Sequence, residues 1–259
     1  MRFCRFCGTK ESQFRKSGKF GCIHCVSVFD YPKPNHKKII SDKEIQTLEN
    51  FVKENPKSLT LLSLRTRITR NLKSNLFPFY EPSELKSKQL LVDNKMDFFL
   101  YPNQSLSTET RNENPESMMG FYLGSEDHIR FEKIVPGGQW CRKKNESGFG
   151  NYLSIYRFFF QKENWAHHPE LGFVSSCPTN LGAGRRDSLL VAVEPEAVSE
   201  FFSKLQSLLE FGIEFAPSSD HRTRNIGKDR VIVVKISWKN ASVIQKRKFY
   251  KILGLLGSY

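Results

Sequence analysis

Four cysteines near the start constrain this chain more than any other feature. Cys4-x-x-Cys7 and Cys22-x-x-Cys25 are separated by fourteen residues, close to the usual spacing of a four-cysteine zinc site. A segment the size of residues 1–30 is too short to bury a hydrophobic core of its own. Two knuckles that each offer two thiolates to a tetrahedral Zn²⁺ supply the missing stabilisation. Four protein ligands leave no open coordination position, so the expected zinc is structural. His24 stands between Cys22 and Cys25 and is an alternative ligand. A redox dithiol is the rival reading; two matched pairs favour zinc.

The whole chain has 259 residues, 39% hydrophobic and 26% charged, enough for one substantial core beside this small module. No apolar run approaches the eighteen or so residues of a membrane span. The start, Met1-Arg2-Phe3-Cys4, lacks the apolar stretch of a signal peptide. The expected location is therefore the cytoplasm, with no membrane partner, and paired cysteines there read as metal ligands rather than disulfides. A formal charge of +13 calls for an anionic partner: nucleotide phosphates, nucleic acid or an acidic protein surface. Part of that charge (Arg2, Arg5, Lys10, Arg15, Lys16, Lys19) flanks the cysteines, where zinc with four thiolates would carry about −2.

After the zinc ribbon at 1–30, residues 31–42 read as a linker with two prolines and several charges, leaving 43–259 as the main domain. Ser41 and Glu44 form a capping box for a helix at 42–54. The pattern then predicts a strand and a basic turn at 57–72, a helix at 82–91 and a polar loop at 102–117. Strands follow at 118–124 and 130–135, and a helix at 149–162. His167-His168 reads as a surface turn. Further strands are expected at 171–176, 188–194, 211–216 and 230–238, with helices at 196–210 and 241–255. Strands mixed with helices, without regular βαβ alternation, give an α+β class with a largely antiparallel sheet and packed helices.

Three stretches carry candidate chemistry. The first, Leu171 to Ser188, joins Cys177 to a glycine-rich loop and Arg186, a combination that brings backbone N–H groups and a guanidinium to an anion. The second runs from Ser63 to Leu72. Arg65 and Arg67 alternate as on a strand, so both point to one face and can grip phosphate oxygens bidentately. The third, Gly124-Ser125-Glu126-Asp127-His128-Ile129-Arg130, places carboxylates beside another arginine. Taken singly, each has a plainer reading: a tight turn with a buried cysteine, a solvated basic strand, a turn with an acidic pair.

Together, and in this order, the stretches resemble motifs of the ATP:guanido phosphotransferases, or phosphagen kinases. Cys177 to Gly184 is similar to Cys-Pro-Thr-Asn-Leu-Gly-Thr-Gly. Ser63 to Leu72 is similar to Ser-Ser-Arg-Ile-Arg-Leu-Ala-Arg-Asn-Leu, and Gly124 to Arg130 to Asn-Glu-Glu-Asp-His-Leu-Arg. The nearest likeness is to the bacterial protein-arginine kinases, over roughly residues 55–240. Phe14 to Cys25 resembles part of the zinc ribbon of the activator protein that partners those kinases.

The resemblance implies a guanido-kinase type of catalytic domain that uses ATP and Mg²⁺. It implies Glu126 as the catalytic carboxylate, Cys177 as a thiolate beside the substrate guanidinium, and Arg65, Arg67, Arg130 and Arg186 as the phosphate clamp; Arg70 falls on the family's third arginine. The implied substrates are arginine side chains of proteins, and the implied partners a separate kinase or protease–chaperone machinery. Departures stand at Gly124-Ser125, Ala183 and Arg185, and most strongly over Ala216 to Asn225. There the family's arginine-bearing loop has no clear match, and Arg222 or Arg224 would have to substitute. These departures keep open a weak or inactive pseudokinase that acts as a zinc-ribbon regulator in protein quality control. A nucleic-acid-binding zinc protein rests on charge and ribbon alone, so nucleic acid is not an expected partner.

Overall fold

Alternation along residues 59–70 organises the molecule in the computed structural model, which describes residues 2–32, 42–73, 76–81, 84–97, 100, 118–136, 149–218 and 231–239. The sheet strands are β1 (Leu59–Arg70), β2 (Met118–Leu123), β3 (Ile129–Pro136), β6 (Arg185–Val193), β7 (Ile213–Pro217) and β8 (Ile232–Lys239); a two-residue pair, β4 (His167–His168) and β5 (Gly172–Phe173), stands apart. The six sheet strands run in the order β2-β3-β1-β6-β8-β7, and every neighbouring pair is antiparallel. The helices are α1 (Glu11–Ser17), α2 (Asp42–Glu54), α3 (Leu85–Asp93), α4 (Phe149–Phe160) and α5 (Pro195–Gln206). The α+β class expected from the sequence is the one observed.

Residues 57–72 form no strand-and-turn; β1 is one twelve-residue strand. Its even positions Leu64 and Ile68 share a face with Leu189 and Val191 of β6, Ile129 and Phe131 of β3, and Val234 and Ile236 of β8. Leu59 and Leu61 are odd and would point the other way. A register shift between Leu61 and Ser63 absorbs one residue, and the bulge returns both leucines to the apolar face. Helices cover that face. Over one half lie α2 and α5, with Leu48, Phe51, Phe201 and Leu205 buried. Over the other half lies α4, with Ile155, Phe158 and Phe159. The opposite face carries Arg65, Arg67, Arg130 and Arg186.

The four-cysteine segment packs against this body. Phe20 and Phe29 each stack on Phe14, and the three share a buried cluster with Phe77, Ala166, Val174 and Leu181. Phe20 N donates to Ser176 O at 2.8 Å and Phe77 N to Gly21 O at 2.8 Å. Burying a ring as fully as Phe20 stabilises by roughly 1.5–3 kcal/mol, so the docking is apolar at heart with a few backbone bonds around it.

Two local expectations change. His167-His168 is no surface turn but a short strand paired with Gly172–Phe173, with the His167 ring edge-on to Phe173. The strand expected at 171–176 stops at Phe173, because Val174 N turns to Ala166 O. The loop at 102–117, the helix at 241–255, most of the 31–42 linker and the Ser41/Glu44 capping box lie outside the described residues or side chains.

Candidate active site

Register places the arginines. Arg67 lies opposite Glu132 of β3 on one side and Arg186 of β6 on the other, while Arg130 lies opposite Thr69 and Tyr122. Cross-strand partners point to the same face, so Arg65, Arg67, Arg130 and Arg186 share it. Like charges so close repel: the Arg67 guanidinium is held below its usual range, first by burial and then by Arg130, Arg186 and Arg65. Glu132, nearly fully buried, offsets part of this through ion pairs with Arg65 and, at 4.0 Å, Arg130. Arg186 donates to Glu214 Oε2 at 3.0 Å and to Ser237 Oγ at 2.9 Å. The Arg130 guanidinium lies 4.6 Å from the centre of the Tyr122 ring. Among the described residues, these four arginines meet two carboxylates, Glu132 and Glu214, which leaves a net positive face suited to a polyanion.

Arg70 goes elsewhere. It sits on the other face and is buried. It donates to Phe159 O (2.8 Å), Thr69 O (2.8 Å) and Ala183 O (2.9 Å), with its guanidinium 3.6 Å over the Phe173 ring. Burial lowers it to about 9. It pins three backbone segments together and does not join the other arginines. Arg185 also faces the helices, paired with Asp187 at 2.9 Å.

Glu126 and Cys177 come from two loops tied to each other. Asp127 Oδ1 accepts from Asn71 Nδ2 and from Ser176 N, both at 2.7 Å. Ser176 Oγ donates to Glu126 O at 2.6 Å. His128 N donates to Asn71 Oδ1 at 3.0 Å, and the His128 ring is hydrogen-bonded to the same oxygen. All three motif stretches therefore meet through one buried polar cluster at the end of β1. Cys177 is partly exposed, with Sγ 3.1 Å from Thr179 Oγ1. The Glu126 carboxylate is half-exposed and ion-paired with Lys19 of the cysteine module.

The four sulfurs of Cys4, Cys7, Cys22 and Cys25 lie within 4.8 Å of one another. Individual separations are 3.7 Å for Cys4–Cys22, 3.5 Å for Cys7–Cys25 and 3.9 Å for Cys22–Cys25. A tetrahedron with Zn–S of about 2.3 Å has edges of about 3.8 Å, so the donor set fits Zn²⁺. The crowding shows in the thiols: hydrogen bonds from Cys22 and Cys25 hold Cys7 far down, and Cys22 is pushed up to about 12. The His24 ring stacks on Phe6 with centroids 3.6 Å apart and is not among the clustered ligands.

The sequence model of the ATP:guanido phosphotransferase C-terminal catalytic domain matches residues 59–227, which span β1, the arginine face and both loops. The chain belongs to the ATP:guanido phosphotransferase family. Members of this family use ATP with Mg²⁺. Similar curated proteins include protein-arginine kinases of Syntrophomonas wolfei, 25% identical over 172 residues, covering 54% of this chain and 46% of that protein. Another, from Clostridium novyi, is 25% identical over 169 residues, covering 62% of this chain and 41% of its own. The chain thus spans less than half the length of these relatives. Among solved structures, a duplicated taurocyamine kinase from Schistosoma mansoni is similar at 16% identity. That match covers 98% of this chain and 40% of the kinase, with a TM-score of 0.46.

Against this guanido phosphotransferase background, sequence reasoning missed Lys19, Asn71, Glu132, Ser176 and Glu214. The alternation that singled out Arg65 and Arg67 also marks Glu132, two residues beyond Arg130 on its own strand. Lys19 had no such signal, because its partner lies 107 positions away. Arg222 and Arg224 lie outside the described residues. Among the described residues, no helix is long and apolar enough to cross a membrane.

Proposed function

We propose that the chain transfers the γ-phosphoryl group of ATP to a guanidino group, with arginine side chains of proteins as the substrate class. The observation that carries this reading is the sharing of one sheet face by Arg65, Arg67, Arg130 and Arg186. A triphosphate needs such a surface, and the charge gathering on the transferring phosphoryl group is stabilised by the same donors. Mg²⁺ would be held with the ATP phosphates and supplies further charge neutralisation there. A guanidinium is a poor nucleophile, protonated at all ordinary pH. Glu126 orients it and accepts its proton as the N–P bond forms and ADP leaves. Cys177 stands beside the substrate guanidinium and helps to position it. The names of the curated relatives support a protein substrate. A structural Zn²⁺ on Cys4, Cys7, Cys22 and Cys25 completes the module, and protease–chaperone machinery is the proposed setting.

A second reading is a regulatory member that keeps the fold without turnover. It is favoured by the Glu126–Lys19 pair, which engages the carboxylate the chemistry needs. Incubation with Mg·ATP and a denatured protein, followed by mass spectrometry under non-acidic conditions, separates the two. Phosphoarginine that vanishes in Glu126→Ala supports the kinase. No product from folded, zinc-loaded protein across several substrates supports the regulator.

A further inference from the structure

Lys19 belongs to the cysteine module, yet its ammonium pairs with Glu126 of the catalytic domain. The backbone that carries it is fixed on both sides. Lys19 N donates to Ser17 Oγ at 3.1 Å, Lys19 O accepts from Tyr80 Oη at 3.2 Å, and Phe20 N donates to Ser176 O at 2.8 Å. Phe20 itself is completely buried. Ser176 in turn holds the Glu126 carbonyl through its hydroxyl and precedes Cys177 in the chain. One residue thus anchors the lysine-bearing segment of the module, the Glu126 loop and the Cys177 loop. The Lys19 side chain is only 18% exposed, whereas that of Glu126 is 41% exposed. The lysine is delivered from within, and the carboxylate stays reachable from outside.

A guanidino substrate approaches Glu126 as a cation with N–H donors. Lys19 is also a cation with N–H donors. While paired, it cancels the charge that would attract a second cation and occupies one carboxylate oxygen. We propose that Lys19 is a built-in competitor for the cationic substrate, resting on Glu126 where the substrate guanidinium docks and thereby setting the affinity a substrate must have to displace it. This rests on the reading of Glu126 as the carboxylate that faces the substrate. A planar guanidinium makes two parallel bonds to a carboxylate, whereas an ammonium acts as a point charge. An arginine side chain therefore gains by displacing Lys19. A lysine side chain only exchanges one ammonium for another, so against the same displacement cost its net gain is smaller than that of arginine.

The test uses the full-length zinc-loaded protein as wild type, Lys19→Met, Lys19→Gln, Lys19→Arg, and Glu126→Gln in the Lys19→Met background. Zinc content and melting temperature establish that each folds. Binding of a labelled arginine peptide and of its lysine-for-arginine counterpart is read by fluorescence anisotropy, and phosphorylation kinetics are read with Mg·ATP. Removing the cation with Met or Gln is expected to tighten the arginine peptide about tenfold and the lysine peptide by the same factor. KM should fall by a similar factor at constant kcat. Lys19→Arg gives no such gain, and Glu126→Gln abolishes it. Unchanged or weaker peptide binding in both neutral variants overturns the proposal, as does a fall in kcat, which would make Lys19 a support for Glu126. Turnover without a binding gain sinks the competitor alone. A binding gain without phosphoarginine in any variant sinks the phosphotransfer reading alone, and no peptide binding to any of the proteins sinks the competitor.

Discussion

Arg67 and Arg70 lie three positions apart on one strand and face opposite ways. Arg67 joins the arginine face, crowded by like charges, whereas Arg70 is spent on three backbone carbonyls inside the protein. Their loss should differ in kind. Arg67→Met is expected to weaken Mg·ADP binding by roughly 10–100-fold, the worth of one or two charge-assisted bonds, with thermal stability unchanged or slightly raised. Arg70→Met should leave nucleotide affinity nearly intact and cost about 2–3 kcal/mol of stability. Calorimetric titration and urea unfolding measure the two. His128 supplies a pH signature. Burial lowers its pKa to about 4 from the usual 6.5, so the unfolded chain binds the proton first as pH falls. Stability from the neutral ring is present above about 6.5 and lost towards pH 4, by about 3 kcal/mol. Urea midpoints of wild type and His128→Gln should converge as pH drops through that window; parallel curves would show that His128 is not the group responsible.

At the level of elements, the β1–β6 pairing decides where the glycine-rich loop can go. Gly184 sits at φ +58°, and its carbonyl accepts from Thr69 N at 2.9 Å. A Cβ there would lie 2.8 Å from Thr69 O and 2.5 Å from Arg70 Nη1. Gly184→Ala therefore combines a left-handed backbone with a steric clash, and a loss of about 2–4 kcal/mol is expected in denaturant unfolding. A loss below about 1 kcal/mol would mean that the loop shifts freely. Periodicity located α2, α5 and the strands β2, β3, β7 and β8 to within a few residues. It misjudged β1 because arginines at 65, 67 and 70 resemble a turn by composition, and a bulge at Leu62 breaks the alternation. It also missed α1, a seven-residue helix too short to show a period.

Among the described residues, the four-cysteine module is stapled to the body of the molecule. The rings of Phe14, Phe20 and Phe29 form one cluster with Phe77, Val174 and Leu181, so the four-cysteine cluster and the Cys177 loop share a core. Zinc binding is coupled to folding in such modules. The protein is expected to hold one zinc per chain, and chelation should lower the melting temperature by about 5 °C or more. Protease cleavage should then appear around residues 174–181 as well as within 2–30. Loss of zinc without any change outside the module would show that the two parts fold independently.

The sequence by itself determined the fold class, the two cysteine pairs and the alternation of Arg65 and Arg67, because these depend on local spacing: cysteines three positions apart, arginines on alternate positions of a strand. Only the tertiary structure decided which arginine stays inside, which carboxylates meet the arginine face and where the cysteine module docks. Those outcomes depend on register and on contacts between residues far apart in the chain. Glu132 reaches Arg65 across a strand pairing, and Lys19 reaches Glu126 across 107 positions, where no local pattern extends.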